Sequence, residues 1–203
     1  MITIIDYGVG NLGSLANLFD RLSMPYIISG KPEVISRAEA LLLPGVGAAG
    51  EGMKNLRDQK LDTVLREKIS AGVSFLGICL GMQVLFDQSE EGNTLCLGVM
   101  RGSVRRFRMT VKVPQIGWNQ VYYPKAIPDN PLWAGIPQGS EYYFVNSYIC
   151  APDDPSVVIG TTVYDESFVS AIAAKNVVAT QFHPEKSGAA GMQFIKNFVE
   201  AYL

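Results

Sequence analysis

Three short runs, ITIID (2–6), ALLLPG (40–45) and VSFLGI (73–78), are apolar almost throughout and show no polar alternation. A strand of that kind has to be covered on both faces. Parallel sheets with helices above and below meet that condition. The segments between them fit. In LGSLANLFDRL, Leu12, Leu15, Phe19 and Leu22 recur at helical spacing, so 12–23 reads as a helix. PYIIS (25–29) reads as a further strand, and 51–71 as a helix broken near Gln59–Leu61. A helix is expected again over LGMQVLFDQS after the strand VSFLGI. Strands alternating with helices define an α/β fold with a mostly parallel central sheet flanked by helices.

From about residue 98 to 182 the chain changes character. It becomes rich in Val, Tyr, Phe, Gly and Pro, with period-two segments such as EYYFVNSYI and VVIGTTVY. These read as antiparallel strands added to the same domain. The chain closes with a strand running into VVATQFHPE and an amphipathic helix, GMQFIKNFVEAYL, whose Met192, Ile195, Phe198 and Val199 share a face. With 203 residues, 48% hydrophobic and 18% charged, one domain over 1–203 is expected.

The pattern GICLG (77–81) frames a cysteine with glycines where an apolar strand gives way to a helix. A sharp turn there needs small neighbours, and G-x-C-x-G is the cysteine form of the nucleophile elbow. A helix N-terminus also favours the thiolate. The competing reading of Cys79 is an inert buried thiol. Cys96 and Cys150 lack the glycine frame and read as buried thiols. A thiol nucleophile works with a base, and the chain contains one histidine, His183, in QFHPEKSG (181–188). It follows the apolar strand VVAT, again at a carboxyl end, where open α/β sheets gather function. Glu185, two residues on, can orient the imidazole as the third member of a triad does. In LLLPGVGAAG (41–50), Gly45-Val46-Gly47 brings free backbone N–H groups to another strand end. Such a loop, with Leu80 N–H just after the nucleophile, can donate to an oxyanion.

Other classes are disfavoured. The net charge is −2, which gives a nucleic-acid partner little support. The basic run VRRFRMTVK (104–112) reads as a solvated strand face, the alternative being the lining of a phosphate-bearing partner pocket. Three cysteines at these spacings make neither a disulfide framework nor a zinc knuckle, and one histidine with scattered cysteines cannot make the usual zinc sets. No metal or cofactor is expected. MITIIDYG reads as a first strand and not as a signal peptide, and no run approaches the length of a membrane helix. A cytoplasmic setting is expected. GVGNLG (8–13) has the glycine spacing of a dinucleotide loop, but no acidic residue ends the second strand, so that site is rejected.

PGVG, GICLGMQ and QFHPEKSG, in this order, resemble the class I glutamine amidotransferases, a flavodoxin-like α/β family. DYGVGN, KVPQIGWNQV (112–121), YYFVNSY (142–148) and HPEKSGAAG narrow the resemblance to glutaminase subunits of the histidine pathway, over essentially the whole chain. The resemblance implies a Cys79–His183–Glu185 triad that hydrolyses glutamine through a thioester. The N–H of Leu80 and of Val46 or Gly47 would meet the oxyanion. Gly47, Gln83, Asn146, Ser147 and Tyr148 would hold the substrate. Ammonia would pass to a (β/α)8 cyclase partner in a heterodimer, with Asn11, Trp118, Asn119, Tyr143 and Lys186 at the interface. Many members carry His where this chain has Gln115 and Asn146. These departures keep open a related subunit that aminates sugars. A non-catalytic scaffold and a peptide-cleaving thiol hydrolase are the remaining alternatives. Intact triad residues speak against the first, and the WN, YFVNSY and EKSG segments against the second.

Overall fold

The computed structural model describes residues 1–108, 112–124 and 130–203. Met109, Thr110 and Val111 of the basic run lie outside these. The parallel half of the sheet is built from β1 (Ile2–Ile5), β2 (Tyr26–Ser29), β3 (Ala40–Leu43), β4 (Ser74–Ile78) and β13 (Val177–Thr180), in the order β2-β1-β3-β4-β13. The apolar runs behave as their composition requires. All of β1, β3 and β13 is buried, and successive residues feed opposite faces. Ala40 and Leu42 point into one core and Leu41 and Leu43 into the other.

The first core is closed by α1 (Leu12–Arg21), through Leu15, Leu18 and Phe19, and by α6 (Gly188–Tyr202), through Phe194, Ile195 and Phe198. Between β2 and β3 runs a short helix, α2 (Pro32–Ile35), which the sequence pattern did not reveal. The second core is closed by α3 (Ala49–Asp58) and α4 (Leu61–Ser70), using Met53, Leu56, Leu61 and Leu65. Each such buried side chain stabilises the fold by about 1.5–3 kcal/mol relative to exposure. The expected break in the 51–71 helix falls at Lys60, whose φ of 59° is left-handed and cannot continue either helix.

The sheet continues past β13 through β12 (Glu166–Ala174), β10 (Tyr148–Pro152), β7 (Gly102–Arg106), β5 (Gln88–Ser89) and β6 (Thr94–Leu95), with β11 (Val158–Tyr164) paired on β12. These additions are antiparallel except for β5 on β7. β8 (Gln115–Val121) and β9 (Ser140–Asn146) form a separate antiparallel ribbon. EYYFVNSYI is therefore two strands. The chain leaves the ribbon at Asn146 and enters the main sheet at Tyr148. Within the basic run, Arg105 makes a two-pronged bond to Glu166, at 3.2 and 2.6 Å, and is not a free solvated charge.

Two helix ends differ from the sequence reading. The helix expected over LGMQVLFDQS is only α5, Leu80–Gln83. The returning chain takes the carbonyls that would have continued it: Leu97 N–H donates to Val84, Gly98 to Phe86, and Val99 and Met100 to Leu85. Helix α6 starts at Gly188, three residues before the GMQFIKNFVEAYL segment.

Candidate active site

Cys79 joins β4 to α5 at φ 54° and ψ −106°, a conformation that L residues rarely adopt. Strain of this kind costs about 1–3 kcal/mol and persists only where the surroundings enforce it. They do so here. Cys79 N–H donates to Thr180 O at 2.7 Å. A Cβ on Gly77 would sit 2.6 Å from Gly81 O, and one on Gly81 would overlap Leu43 O. The glycine frame therefore exists because the turn packs backbone on backbone. The turn lifts Cys79 to the carboxyl end of β4, beside the end of β13, and its thiol reaches Val145 O at 3.7 Å.

His183 follows β13, and its N–H bonds Tyr143 O at 2.9 Å. Its Nδ1 and Glu185 Oε1 are 2.8 Å apart, with both side chains at most 3% exposed. That bond places a proton on Nδ1, so Nε2 is the ring nitrogen left to exchange a proton with Cys79. Nε2 is buried and has no hydrogen-bond partner, as resting catalytic bases often are before substrate tightens the site. Burial alone would push the His183 pKa down. Cys79 and Glu185 outweigh it and raise the value to about 10. The stability His183 contributes is thus fully present below its ordinary value of 6.5 and is lost as pH rises towards 10. Denaturant midpoints of the wild type should fall over that range, and His183→Gln should flatten the fall. An equal slope in both proteins would refute the assignment.

A cavity of about 190 Å³ opens over Cys79. Leu80, Val46, Gly47, Gln83, Asn146, Ser147 and Tyr148, all singled out from sequence, line it. Two residues were missed. Glu91 also lines the cavity, and its Oε2 accepts from Ala49 N–H at 2.7 Å, holding the far end of the Gly45–Gly47 loop at the start of α3. Gln181 donates to Cys79 Sγ at 3.5 Å, and its Oε1 accepts from Gln83 Nε2 at 2.9 Å. Its place two residues before His183, on the same side of an extended segment, was the available signal. Glu91 had none, since a short strand hairpin brings it there. Gln83 also donates to Tyr148 O at 3.2 Å, which ties α5 to β10.

The oxyanion site is incomplete in the chain alone, in the flipped resting state that the glycines of this loop permit. Leu80 N–H is engaged by Gly45 O at 3.3 Å. The loop is held in this state by Tyr7, whose hydroxyl donates to Pro44 O at 2.8 Å. Burial, and then the charge of Cys79, raise the Tyr7 pKa, so the hydroxyl keeps its proton. A side chain on Gly45 would meet Tyr7 Oη at 2.5 Å and Leu80 Cβ at 2.7 Å.

Gln115 and Asn146 are partners across the β8–β9 ribbon, and both are buried. Asn146 Nδ2 donates to Tyr148 O at 3.1 Å. Among the expected interface residues, Trp118 is 55% exposed and stands edge-on to Tyr143 at 6.1 Å, and Lys186 Nζ lies 5.5 Å from the Tyr143 ring. These three form one cluster next to His183. Asn11 and Asn119 are used internally: Asn11 Oδ1 caps α1 at Ser14 N, and Asn119 Nδ2 bonds Val163 O. Among the described residues, no group of three or more His, Cys, Asp or Glu could hold a metal, and no helix is long and apolar enough to cross a membrane.

The glutamine amidotransferase class-I family model matches residues 3–201. Imidazole glycerol phosphate synthase subunit HisH of Dehalococcoides mccartyi is 45% identical, over 100% of this chain and 98% of its own. The HisH subunit of Herpetosiphon aurantiacus is 47% identical (100% and 95% covered), and that of Chlorobaculum tepidum is 47% identical (98% and 100% covered). Among solved structures, a glutamine amidotransferase crystal structure superposes with a TM-score of 0.77 at 18% identity, covering 98% of each chain. The structure of PurLQS from Thermotoga maritima gives 0.76 at 16% identity, covering 98% and 97%. These two share the fold. With a full-length family match and full-length relatives near 45% identity, the chain belongs to the class I glutamine amidotransferases and, within them, to the HisH family of imidazole glycerol phosphate synthase subunits.

Proposed function

We propose that Cys79, His183 and Glu185 hydrolyse glutamine in the cavity over Cys79 and that the ammonia passes to a (β/α)8 cyclase subunit in a heterodimer. The observation that carries this is a strained thiol at the elbow beside a histidine oriented by a buried carboxylate. Cys79 Sγ attacks the side-chain amide carbon of glutamine. His183 takes the thiol proton and gives it to the departing nitrogen, so ammonia leaves and a glutamyl thioester remains. Water, deprotonated by the same Nε2, then breaks the C–S bond. Glutamate departs and the thiol regains its proton. Gln181 and Gln83 brace the nucleophile, and Glu91 offers the cavity a carboxylate for the substrate's α-ammonium.

The resting loop holds this chemistry back. The peptide plane between Gly45 and Val46 carries the Gly45 carbonyl on one side and the Val46 N–H on the other. Rotating it by about half a turn frees Leu80 N–H and replaces a carbonyl with a second donor. Glycine at 45 keeps that rotation cheap. Partner binding is the natural trigger, since the Trp118–Tyr143–Lys186 cluster adjoins His183 and Ile116 extends the exposed apolar face of β8. The whole chain acts as one unit in the cytoplasm, with no cofactor. The relatives' role favours the histidine-pathway cyclase over a sugar-aminating partner, despite Gln115 and Asn146.

The test is glutamate release from glutamine by the chain alone, and by the chain with a HisH-partner barrel subunit and its nucleotide substrate. Stimulation on the order of a hundredfold is expected, the usual worth of an oxyanion donor. Equal activity with and without the partner would refute the gating. No activity in the complex, with the barrel active on ammonium, would refute the partnership.

A further inference from the structure

A fully buried carboxamide, that of Gln181, lies against the sulfur of Cys79. Gln181 continues the β12–β13 ladder by one residue, with its N–H on Ser170 O at 2.9 Å, which fixes its backbone. Hydrogen bonding fixes the orientation of its side chain as well. Tyr148 O can only accept, so the Gln83 atom 3.2 Å from it is the amide nitrogen. The same nitrogen lies 2.9 Å from Gln181, which has to answer with its oxygen. The Gln181 nitrogen is thereby turned to Cys79 Sγ, 3.5 Å away. Both hydrogens of the Gln83 amide are spent in this way, which leaves only its Oε1 for a ligand in the cavity it lines. The thiol points its own proton at Val145 O, at 3.7 Å. The sulfur thus holds a neutral donor before any charge develops on it.

We propose that Gln181 is a catalytic residue, whose side-chain N–H donates to Cys79 Sγ and stabilises the thiolate that attacks glutamine, and that Gln83 is the positioning residue that aims it. This rests on the triad reading above. The thiol proton goes to His183 Nε2, and Gln181 transfers none. As sulfur bonds to the amide carbon, its charge passes to the carbonyl oxygen and the bond from Gln181 weakens. When the thioester C–S bond breaks, the electron pair returns to sulfur, and the Gln181 N–H meets it again until Nε2 hands the proton back. A donor is worth more against a charged acceptor than against a neutral one, so it favours thiolate over thiol. The titratable groups near the sulfur are His183 with Glu185 behind it, Tyr7 from beyond β1, Cys150 from β10, and Glu91 in the cavity wall. Tyr7 spends its hydroxyl on Pro44 O, and burial keeps Cys150 a neutral thiol. Removing the Gln181 donor makes the thiol proton harder to lose. The acid limb of thiolate chemistry should then move to higher pH.

The readout is the pH dependence of Cys79 alkylation by iodoacetamide, quantified at Cys79 by peptide mass spectrometry, in the isolated chain. It needs neither the partner nor an open oxyanion hole. Gln181→Met keeps the length of the side chain and removes the donor. It is expected to move the acid limb up by roughly one pH unit, a tenfold slower reaction below it, without lowering the plateau above it. Gln181→Glu keeps an acceptor for Gln83 but sets a carboxylate against the sulfur, so its limb should move further. Gln83→Met frees the Gln181 amide to turn and should give a smaller shift than Gln181→Met. In the complex at saturating partner, Gln181→Met should lower kcat for glutamate release and leave KM unchanged. A raised KM with kcat unchanged would make Gln181 a substrate-holding residue and overturn the proposal. His183→Gln separates the two readings. If His183→Gln shifts the profile and Gln181→Met leaves the limb in place, the donor role is overturned and the triad stands. If Gln181→Met shifts the limb and His183→Gln shifts nothing, the triad is overturned and the donor stands. Should Gln181→Met not fold, Gln181→Glu reads the same limb.

Discussion

Replacing Cys79 with alanine is expected to lower glutamate release on the order of 10⁵-fold or more, to background, and to leave the fold intact. In the proposed mechanism the sulfur forms the only covalent bond to substrate, so no neighbour can take over its step. The expected stability change is within about 1 kcal/mol. Alanine meets the same positive-φ strain that cysteine already bears, and the thiol's one polar contact within the fold as a donor is a 3.7 Å approach to Val145 O. In the complex the partner should still turn over with added ammonium, because only its nitrogen source has been removed. Glutamate release in Cys79→Ala at more than a small fraction of wild type would move the nucleophile elsewhere. Cys96 and Cys150 are poor candidates, since burial raises both thiols, Cys96 to about 11.

The second large effect is structural. Gly81→Ala is expected to destabilise the protein by roughly 3 kcal/mol or more and to abolish turnover with it. The new methyl group would occupy the space of Leu43 O, and that oxygen belongs to a fully buried strand that cannot retreat. The alternative is for α5 to move, which carries Leu80 N–H and Gln83 away from the cavity. Gly13→Ala is the matched control. It lies in α1, nothing is within 4 Å of its added Cβ, and the change should stabilise by about 0.5–1 kcal/mol. Thermal melts of the two variants beside wild type are sufficient. A Gly81→Ala protein that melts with wild type would show that the elbow has slack, and the account of the glycine frame would fail.

The contrast between the two glycines shows what a sequence can and cannot convey. GICLG announced a tight turn because its pattern is local: an apolar strand, then small residues on both sides of a cysteine. Gly13 looks no different on paper, yet nothing approaches it. The helix after the elbow was misread for a related reason. LGMQVLFDQS has good helical periodicity, and only the return of residues 97–100 onto the carbonyls of Val84–Phe86 ends the helix at Gln83. Glu91 escaped notice because a short hairpin, not a motif, brings it to the start of α3. For Asn11 and Asn119 the resemblance implied a partner interface, and within the chain their side chains serve a helix cap and a strand tie.

By itself the sequence determined the parallel half of the sheet, the two-faced burial of its strands and the residues of the proposed triad. Each of these rests on short-range periodicity, or on a chain with one histidine and one glycine-framed cysteine. The tertiary structure alone decided that Leu80 N–H is engaged by Gly45 O and that Gln181 touches Cys79. Those contacts join segments 35 and 102 residues apart. Their geometry depends on which backbone packs against which, and no local pattern encodes that.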